Sequence, residues 1–160
     1  MTEDTADDAP PNVRASSGWQ AVLDDAEATA DEYRERGWET LLVHPGDSVF
    51  VDSERRRGLD VVLPDPEFDE LRGLVDDHAF DDVEVFRAEG DGLVYLLVVE
   101  RAPATEAAVL VPAYYDPVAA GSALEAVRKE GEIRLFCRRL GDEYVEFAHD
   151  DPGPFLPAAL

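Results

Sequence analysis

Lysine, cysteine and long apolar runs are nearly absent from this sequence. Lys129 is the one lysine among 14 basic residues, and Cys137 is the one cysteine. A lone cysteine has no partner for an internal disulfide, which agrees with a reducing compartment. No stretch approaches the roughly 18 consecutive apolar residues of a membrane-spanning helix. The acidic N-terminus lacks the basic region and apolar core of a signal peptide. We therefore expect a soluble, cytoplasmic protein without a membrane partner.

Motifs of common enzymes and metal sites are missing too. The sequence contains no HExxH, paired CxxC, EF-hand, Walker or dinucleotide motif, and no GxSxG elbow. Asp65 and Glu100 fit an acidic nuclease pattern only loosely, because the lysine that should follow Glu100 is absent. Cys137 follows Leu135 and Phe136 in an apolar strand-like run, which favours an inert core thiol over a nucleophile. We predict no cofactor and no metal, and the missing motifs favour a non-enzymatic protein over an enzyme.

Acidic residues are what the sequence has in excess. There are 37 aspartates and glutamates, and the formal net charge is −23. Such charge destabilises a compact chain by self-repulsion, which molar salt screens because the Debye length falls to about 3 Å. Disorder is disfavoured because 45% of the residues are hydrophobic and lie in patterned runs. The composition therefore predicts a folded protein adapted to high salt.

The same charge makes nucleic acid an unlikely partner, since binding a phosphate backbone needs lysine and arginine. The one basic cluster is Arg55-Arg56-Arg57, followed by Gly58. We interpret it as an exposed turn paired with nearby acids. Phosphate binding by these arginines is the alternative.

The length of the chain predicts one domain. Residues 1–15 are polar and acidic and contain Pro10-Pro11, so they are predicted to form a disordered tail. Residues 16–150 are predicted to form the domain. Residues 151–160 are rich in proline and are predicted to be irregular.

Three helices are predicted from periodicity and end signals. The first begins at a capping box from Ser17 to Gln20 and ends at Gly37. The second begins with Asp65 as N-cap, and the third begins with Asp116 as N-cap and ends at Gly131.

Strand signals fill the intervals between these helices. Residues 39–44 and 48–51 are predicted to form a hairpin around Pro45-Gly46-Asp47, and Gly90-Asp91-Gly92 is predicted to close another. Residues 93–99 are continuously apolar, which is typical of a central strand. A final two-residue turn at Gly141-Asp142 would place Phe136 opposite Phe147.

The resulting order is α-β-β-β-α-β-β-β-α-β-β. Strands outnumber helices and come in hairpins. This order predicts a single α+β domain with a largely antiparallel sheet of hairpins backed by about three helices.

The first candidate ligand site is Tyr114-Tyr115-Asp116, where an apolar strand precedes a helix. Amides at a helix N-terminus point outward, and tyrosines add flat faces and hydroxyls. The simpler alternative is that the tyrosines pack and Asp116 caps the helix. His149, at the end of the last strand, completes the candidate set.

These observations favour a non-enzymatic module that binds a small molecule or a protein. The alternative is a small hydrolase or metal-dependent enzyme in which the strand-end groups His44, Asp47, His149 and Asp150 converge.

Three segments carry a resemblance to a known family: GWETLLVHPGD, LLVVERAPATEAAVLVPAYYDP and FAHDDPGPFLP. They resemble a family of small acidic proteins from salt-loving archaea that has no assigned activity. The resemblance extends over nearly the whole chain after the tail. It implies adaptation to high salt and assigns no site residues.

Overall fold

The computed structural model describes residues 16–53 and 56–158. The predicted tail, residues 1–15, lies outside the described residues, and so does Arg55. The helices are α1 (Ser16–Glu35), α2 (Asp65–Asp77) and α3 (Gly121–Glu130). The strands are β1 (Glu39–Leu42), β2 (Asp47–Asp52), β3 (Arg57–Val62), β4 (Asp82–Gly90), β5 (Leu93–Ala102), β6 (Ala107–Tyr115), β7 (Ile133–Arg138) and β8 (Tyr144–His149).

The strands form two four-stranded sheets, one ordered β1-β6-β5-β4 and the other β2-β3-β7-β8. Within each sheet one pair is parallel, β1 with β6 and β3 with β7, and the other pairs are antiparallel. The predicted α+β class, the mainly antiparallel pairing and the three helices are confirmed. The strands divide between two sheets, where the sequence suggested one.

The predicted hairpin between β1 and β2 is wrong. Glu39 to Leu42 pair in parallel with Ala107 to Leu110, whereas Asp47 to Asp52 pair with β3 in the other sheet. The chain crosses from one sheet to the other at Pro45-Gly46. Turn residues end a strand without specifying which sheet the next strand joins, so a local pattern does not distinguish the two outcomes.

The hairpin of β4 and β5 is confirmed. Asp91 and Gly92 both have positive φ, 55° and 78°, as a type I′ turn requires. Residues 93–100 are all buried, as predicted for a central strand. β6 continues through Pro112 to Tyr115. The last hydrogen bond between β1 and β6 runs from the Val43 N–H to the Leu110 carbonyl, so the pairing ends before Pro112. The N–H that Pro112 lacks is therefore not needed for the pairing with β1.

The final hairpin has a register one residue away from the prediction. Phe147 lies opposite Leu135, and Phe136 lies opposite Glu146. The residues between the strands number more than the expected two, since β7 ends at Arg138 and β8 begins at Tyr144. A shift of one residue moves a side chain to the other face of the sheet. Phe136 therefore packs edge-on against Tyr144 on the outer face, with ring centroids 5.6 Å apart.

The core has two layers. The sheets face each other across the larger layer, which α2 and α3 complete with Phe68, Leu71, Leu124 and Val127. The smaller layer lies between α1 and the other face of the β1-β6-β5-β4 sheet. Alternate residues of β5 supply both layers, which explains why this strand is apolar throughout.

Helix ends differ from the prediction in three places. α1 begins at Ser16, so Ser17 lies inside the helix rather than at its N-cap, while Gly37 follows its end with φ 86°. Asp65 is the first residue of α2, and Pro64 takes the N-cap position. α3 begins at Gly121, not after Asp116, although it ends at Gly131 as predicted.

The segment after β8 closes one side of the sandwich. It contains a short 3-10 helix, Gly153–Phe155, in which Phe155 is buried, and Leu156 is buried next to it. Arg87 of β4 donates a hydrogen bond to the carbonyl of Leu156 at 2.7 Å. Among the described helices, none is long and apolar enough to cross a membrane.

Candidate functional site

A buried glutamate–histidine pair joins the two sheets. Glu100 follows the apolar run of β5 and points between the sheets, where it is fully buried. His149 is the last residue of β8. Its Nε2 lies 2.7 Å from Oε2 of Glu100, and its side chain is 10% exposed. The pair therefore fixes the imidazole at one end of the sandwich.

Burial is the main influence on the Glu100 carboxyl. It raises the pKa of Glu100 above the ordinary value, the contact with His149 acts in the opposite direction, and Asp82 raises it further. Within the described chain, Oε1 of Glu100 has no hydrogen-bond partner. A buried carboxylate oxygen without a partner is costly, so this group is not explained by stability alone.

A cleft of about 480 Å³ opens beside His149. The connection into β4, the start of β7 and the end of β8 form its walls. The imidazole stacks on the ring of Phe155, with centroids 5.5 Å apart and planes at 24°. The residues lining this His149 cleft are Phe80, Asp81, Asp82, Val83, Glu132, Arg134, Ala148, His149, Asp150 and Asp151.

The charged groups of the His149 cleft are partly engaged with each other. Arg134 contacts Glu132 at 3.3 Å and Glu146 at 2.9 Å. Asp82 pairs with Arg101, and the Asp151 carboxylate accepts a hydrogen bond from the Gly153 N–H. Acidic oxygens thus outnumber cationic groups around the imidazole, so the cleft suits a ligand that donates hydrogen bonds.

Of the described residues, no serine, threonine or cysteine lines this cleft, so they offer it no hydroxyl or thiol nucleophile. Cys137 lies in the core on β7 and is fully buried. Burial raises the pKa of its thiol, and the charges of Glu100 and Asp60 add to the effect. The thiol is therefore held in its unreactive form, as the sequence predicted.

The Tyr114-Tyr115-Asp116 junction lines a second cleft, of about 350 Å³. The Ser48 hydroxyl donates to the Tyr114 carbonyl at 2.7 Å and accepts from its N–H at 3.2 Å, which ties β2 to the free edge of β6. The Tyr114 ring meets Trp19 edge-on at 5.2 Å. Burial raises the pKa of Tyr114, and the charge of Asp47 raises it further.

Tyr115 and Asp116 have structural roles at this junction. The Tyr115 ring packs against Phe50, and its hydroxyl donates to the carbonyl of Phe155 at 2.7 Å. Burial raises the pKa of Tyr115. The Asp116 carboxylate accepts hydrogen bonds from the N–H groups of Val118 and Ala119, so it caps the turn that leads into α3.

The four candidate residues lie in two clefts. Tyr114, Tyr115 and Asp116 share one, and His149 lies in the other. Tyr115 pairs with Val94, six residues before Glu100 on β5, which separates the two ends by about 20 Å along the strand. Phe155 connects them, because it contacts the Tyr115 hydroxyl with its carbonyl and His149 with its ring.

The strand-end groups of the alternative site are also separated. His44 Nδ1 lies 2.7 Å from Oε2 of Glu67 on α2, in an exposed position. Asp47 lines the Tyr114 cleft, while Asp150 lines the His149 cleft. In residues 16–53 and 56–158, no three His, Cys, Asp or Glu side chains are grouped to hold a metal ion.

Glu100 is the site residue that sequence reasoning missed. It appeared only as part of a weak nuclease-like pattern. The available signal was an acid placed directly after seven apolar residues of a central strand, at an inward-facing position. In a chain with 37 acidic residues, one more carboxylate carries little information unless its neighbours are apolar.

Comparison with known proteins identifies a family but no characterised relative. Neither a curated protein nor a solved structure matches the chain. One family model matches residues 5–157, which is nearly the entire sequence. The chain therefore belongs to the family of unknown function DUF7529.

Proposed function

We propose that this protein is a ligand-binding module adapted to high salt, and that the His149 cleft binds a small organic amine. The observation that carries the proposal is the fully buried Glu100, bonded through one oxygen to His149 at the cleft. A carboxylate held in this way fixes the imidazole, and it adds negative charge beneath a site already rich in acids. An ammonium group has three N–H donors and a positive charge that match these acceptors.

Binding of a simple diamine tests the proposal. We expect putrescine to bind saturably to the folded protein in calorimetric titrations, and 1,4-butanediol, which lacks the charge, to bind at least about tenfold more weakly. His149→Ala and Asp150→Asn should weaken putrescine binding, whereas His44→Ala, on the other histidine–glutamate pair, should not. Equal binding of amine and diol, or unchanged binding in both cleft variants, would contradict the proposal.

The proposed salt adaptation rests on where the acids lie. Among the described aspartates and glutamates only Asp60 and Glu100 are buried, so the others form a solvated coat. Repulsion within this coat falls as salt shortens the Debye length. We expect circular dichroism to show loss of helix and strand signal when KCl is lowered from molar to millimolar. Full retention of the signal in dilute buffer would refute the adaptation.

A second candidate function is water activation by His149. The carboxylate–imidazole contact of 2.7 Å is the arrangement by which a positioned acid orients a general base. This function predicts hydrolysis in a broad substrate screen that His149→Ala abolishes and His44→Ala leaves intact. Absence of turnover together with putrescine binding would favour the ligand-binding module.

A further inference from the structure

An arginine pocket lies on the outer face of the β2-β3-β7-β8 sheet, away from both clefts described above. We define it by Arg56, Arg138 and Tyr144, with Ser53, Gly141 and Asp142 at its rim, and it encloses about 520 Å³. Arg56 directly precedes β3, Arg138 ends β7, and Tyr144 begins β8. The chain has a net charge of −23, so two neighbouring arginines that face one cavity are unexpected.

A buried aspartate holds both arginines. Asp60 of β3 is 1% exposed and pairs with Arg138 and Arg56 through different oxygens. Nε of Arg138 donates to Oδ1 at 2.8 Å, and Nη1 of Arg56 lies 3.1 Å from Oδ2. Asp60 and the rim residue Asp142 thus balance the two arginines in charge, so the pocket offers guanidinium N–H donors without a net charge of its own.

Two aromatic rings also hold the Arg56 guanidinium in place. Its central carbon lies 5.4 Å from the Phe136 ring centroid and 5.6 Å from that of Tyr144. Phe136 is fully buried beneath it, whereas Tyr144 is 38% exposed. The guanidinium is therefore fixed on two sides before any ligand arrives, which reduces the entropy lost on binding.

In the part of the chain that the structure describes, most donors of these arginines have no ion-pair partner. Each guanidinium has five N–H groups, and the contacts with Asp60 engage one nitrogen of each. Both side chains line the pocket and are 30% and 27% exposed, so each guanidinium is partly accessible from the cavity. By contrast, Arg57 points to the other side of β3 and is engaged by Asp52 and Glu130.

We propose that the arginine pocket binds the phosphate group of a phosphate ester, and that Tyr144 stacks on a flat ring attached to it. Guanidinium forks match the oxygens of a phosphate in pairs, whereas chloride offers one spherical acceptor. This geometric match allows a phosphate to compete in molar chloride, where charge alone gives little selectivity. Exposed aromatic rings bind bases by stacking.

Calorimetric titration with inorganic phosphate and with AMP tests the proposal, at a KCl concentration where circular dichroism shows the folded state. Both should bind saturably, with AMP tighter than phosphate. Arg138→Lys keeps the ion pair with Asp60 but loses the planar fork, so we expect about tenfold weaker binding of both. Arg56→Gln should act similarly. Tyr144→Leu should reduce AMP affinity to that of phosphate.

Two controls separate this site from the rest of the surface. Arg128→Gln removes an exposed arginine that pairs with Glu125 on α3, and it should leave binding unchanged. His149→Ala should also leave it unchanged, which distinguishes the pocket from the His149 cleft. Absence of saturable phosphate binding, or binding that survives both arginine variants, would overturn the proposal. Equal affinities for AMP and phosphate would remove the ring-stacking part.

Discussion

Two histidine–glutamate contacts of equal length but different burial provide a controlled test of the Glu100–His149 pair. The nitrogen–oxygen distance is 2.7 Å both for His149 with Glu100 and for His44 with Glu67. The side chains of the first pair are 10% and 1% exposed, and those of the second are 56% and 22% exposed. Because both contacts join a histidine ring nitrogen to a glutamate oxygen at the same distance, the same substitution at each histidine compares a buried pair with an exposed one.

Among the described residues, His149→Ala removes the one side chain that is hydrogen-bonded to the Glu100 carboxyl. Both oxygens would then lack a partner in the described structure, since Oε1 has none already. Breaking a buried pair from one side typically costs about 3–5 kcal/mol, whereas an exposed pair contributes about 0–1 kcal/mol. We therefore expect a loss of about 3–5 kcal/mol for His149→Ala at pH 8, and less than about 1 kcal/mol for His44→Ala.

The loss in His149→Ala should grow with pH. Burial raises the pKa of Glu100 in the folded protein. A group with a raised folded pKa contributes stability that is complete below its unfolded pKa, about 4.3, and that is lost as pH rises through the folded pKa. The contact with His149 lowers the pKa of Glu100, so its removal raises that pKa further. More stability is then lost at pH 8 than at pH 5.

Urea unfolding followed by tryptophan fluorescence measures these differences, because Trp38 packs against the smaller core layer and Trp19 packs against the buried cluster of Val22, Leu93 and Tyr95. The urea titrations are carried out at pH 5 and at pH 8 in molar KCl. In Glu100→Gln/His149→Ala the additional loss at high pH should disappear, since the amide does not ionise. Equal losses for the two histidine variants, or a His149→Ala loss that is independent of pH, would refute the assigned role of burial.

Three further predictions concern the scaffold. An added Cβ at Gly58, where φ is 148°, would lie 2.0 Å from the Arg134 carbonyl oxygen. Gly58→Ala should therefore destabilise the protein by roughly 3 kcal/mol or more in the same urea assay. A loss below about 1 kcal/mol would contradict the close approach of β3 and β7. Asp116→Ala removes the cap of the turn before α3, so it should lower the free energy of unfolding by about 1 kcal/mol and leave putrescine binding unchanged. Weaker putrescine binding in this variant would show that the Tyr114 cleft contributes to amine binding. Burial raises the pKa of the Cys137 thiol, so iodoacetamide at pH 8 should alkylate it only as fast as the protein unfolds. Rapid labelling of the folded protein would disprove the burial of Cys137.

Elements with strong local signals were predictable from the sequence. The apolar run of β5 and the Asp91-Gly92 turn identify a central hairpin, and both gave the correct pairing. The end of α3 at Gly131 follows from the same local logic, since glycine adopts the required positive φ. In these cases the residues within a few positions determine the outcome.

Features that depend on distant partners were not predictable in this way. The choice of β6 as the partner of β1 depends on contacts far along the chain. The final hairpin shows how small the local difference is, because one residue in the register decides whether Phe136 and Phe147 share a face of the sheet or lie on opposite faces. The site followed the same rule: His149 was recognised locally, but Glu100, which gives it its environment, comes from another sheet.

The two parallel strand pairs have a consequence for how the chain folds. Glu39 pairs with Ala107 and Gly58 with Arg134, so each sheet joins segments about seventy residues apart. Pairs so far apart in sequence require closure of long loops before any stabilising contact forms, which slows folding. During synthesis β2 and β3 can pair with each other, but β1 has no strand partner and β3 lacks its second one until the second half emerges from the ribosome.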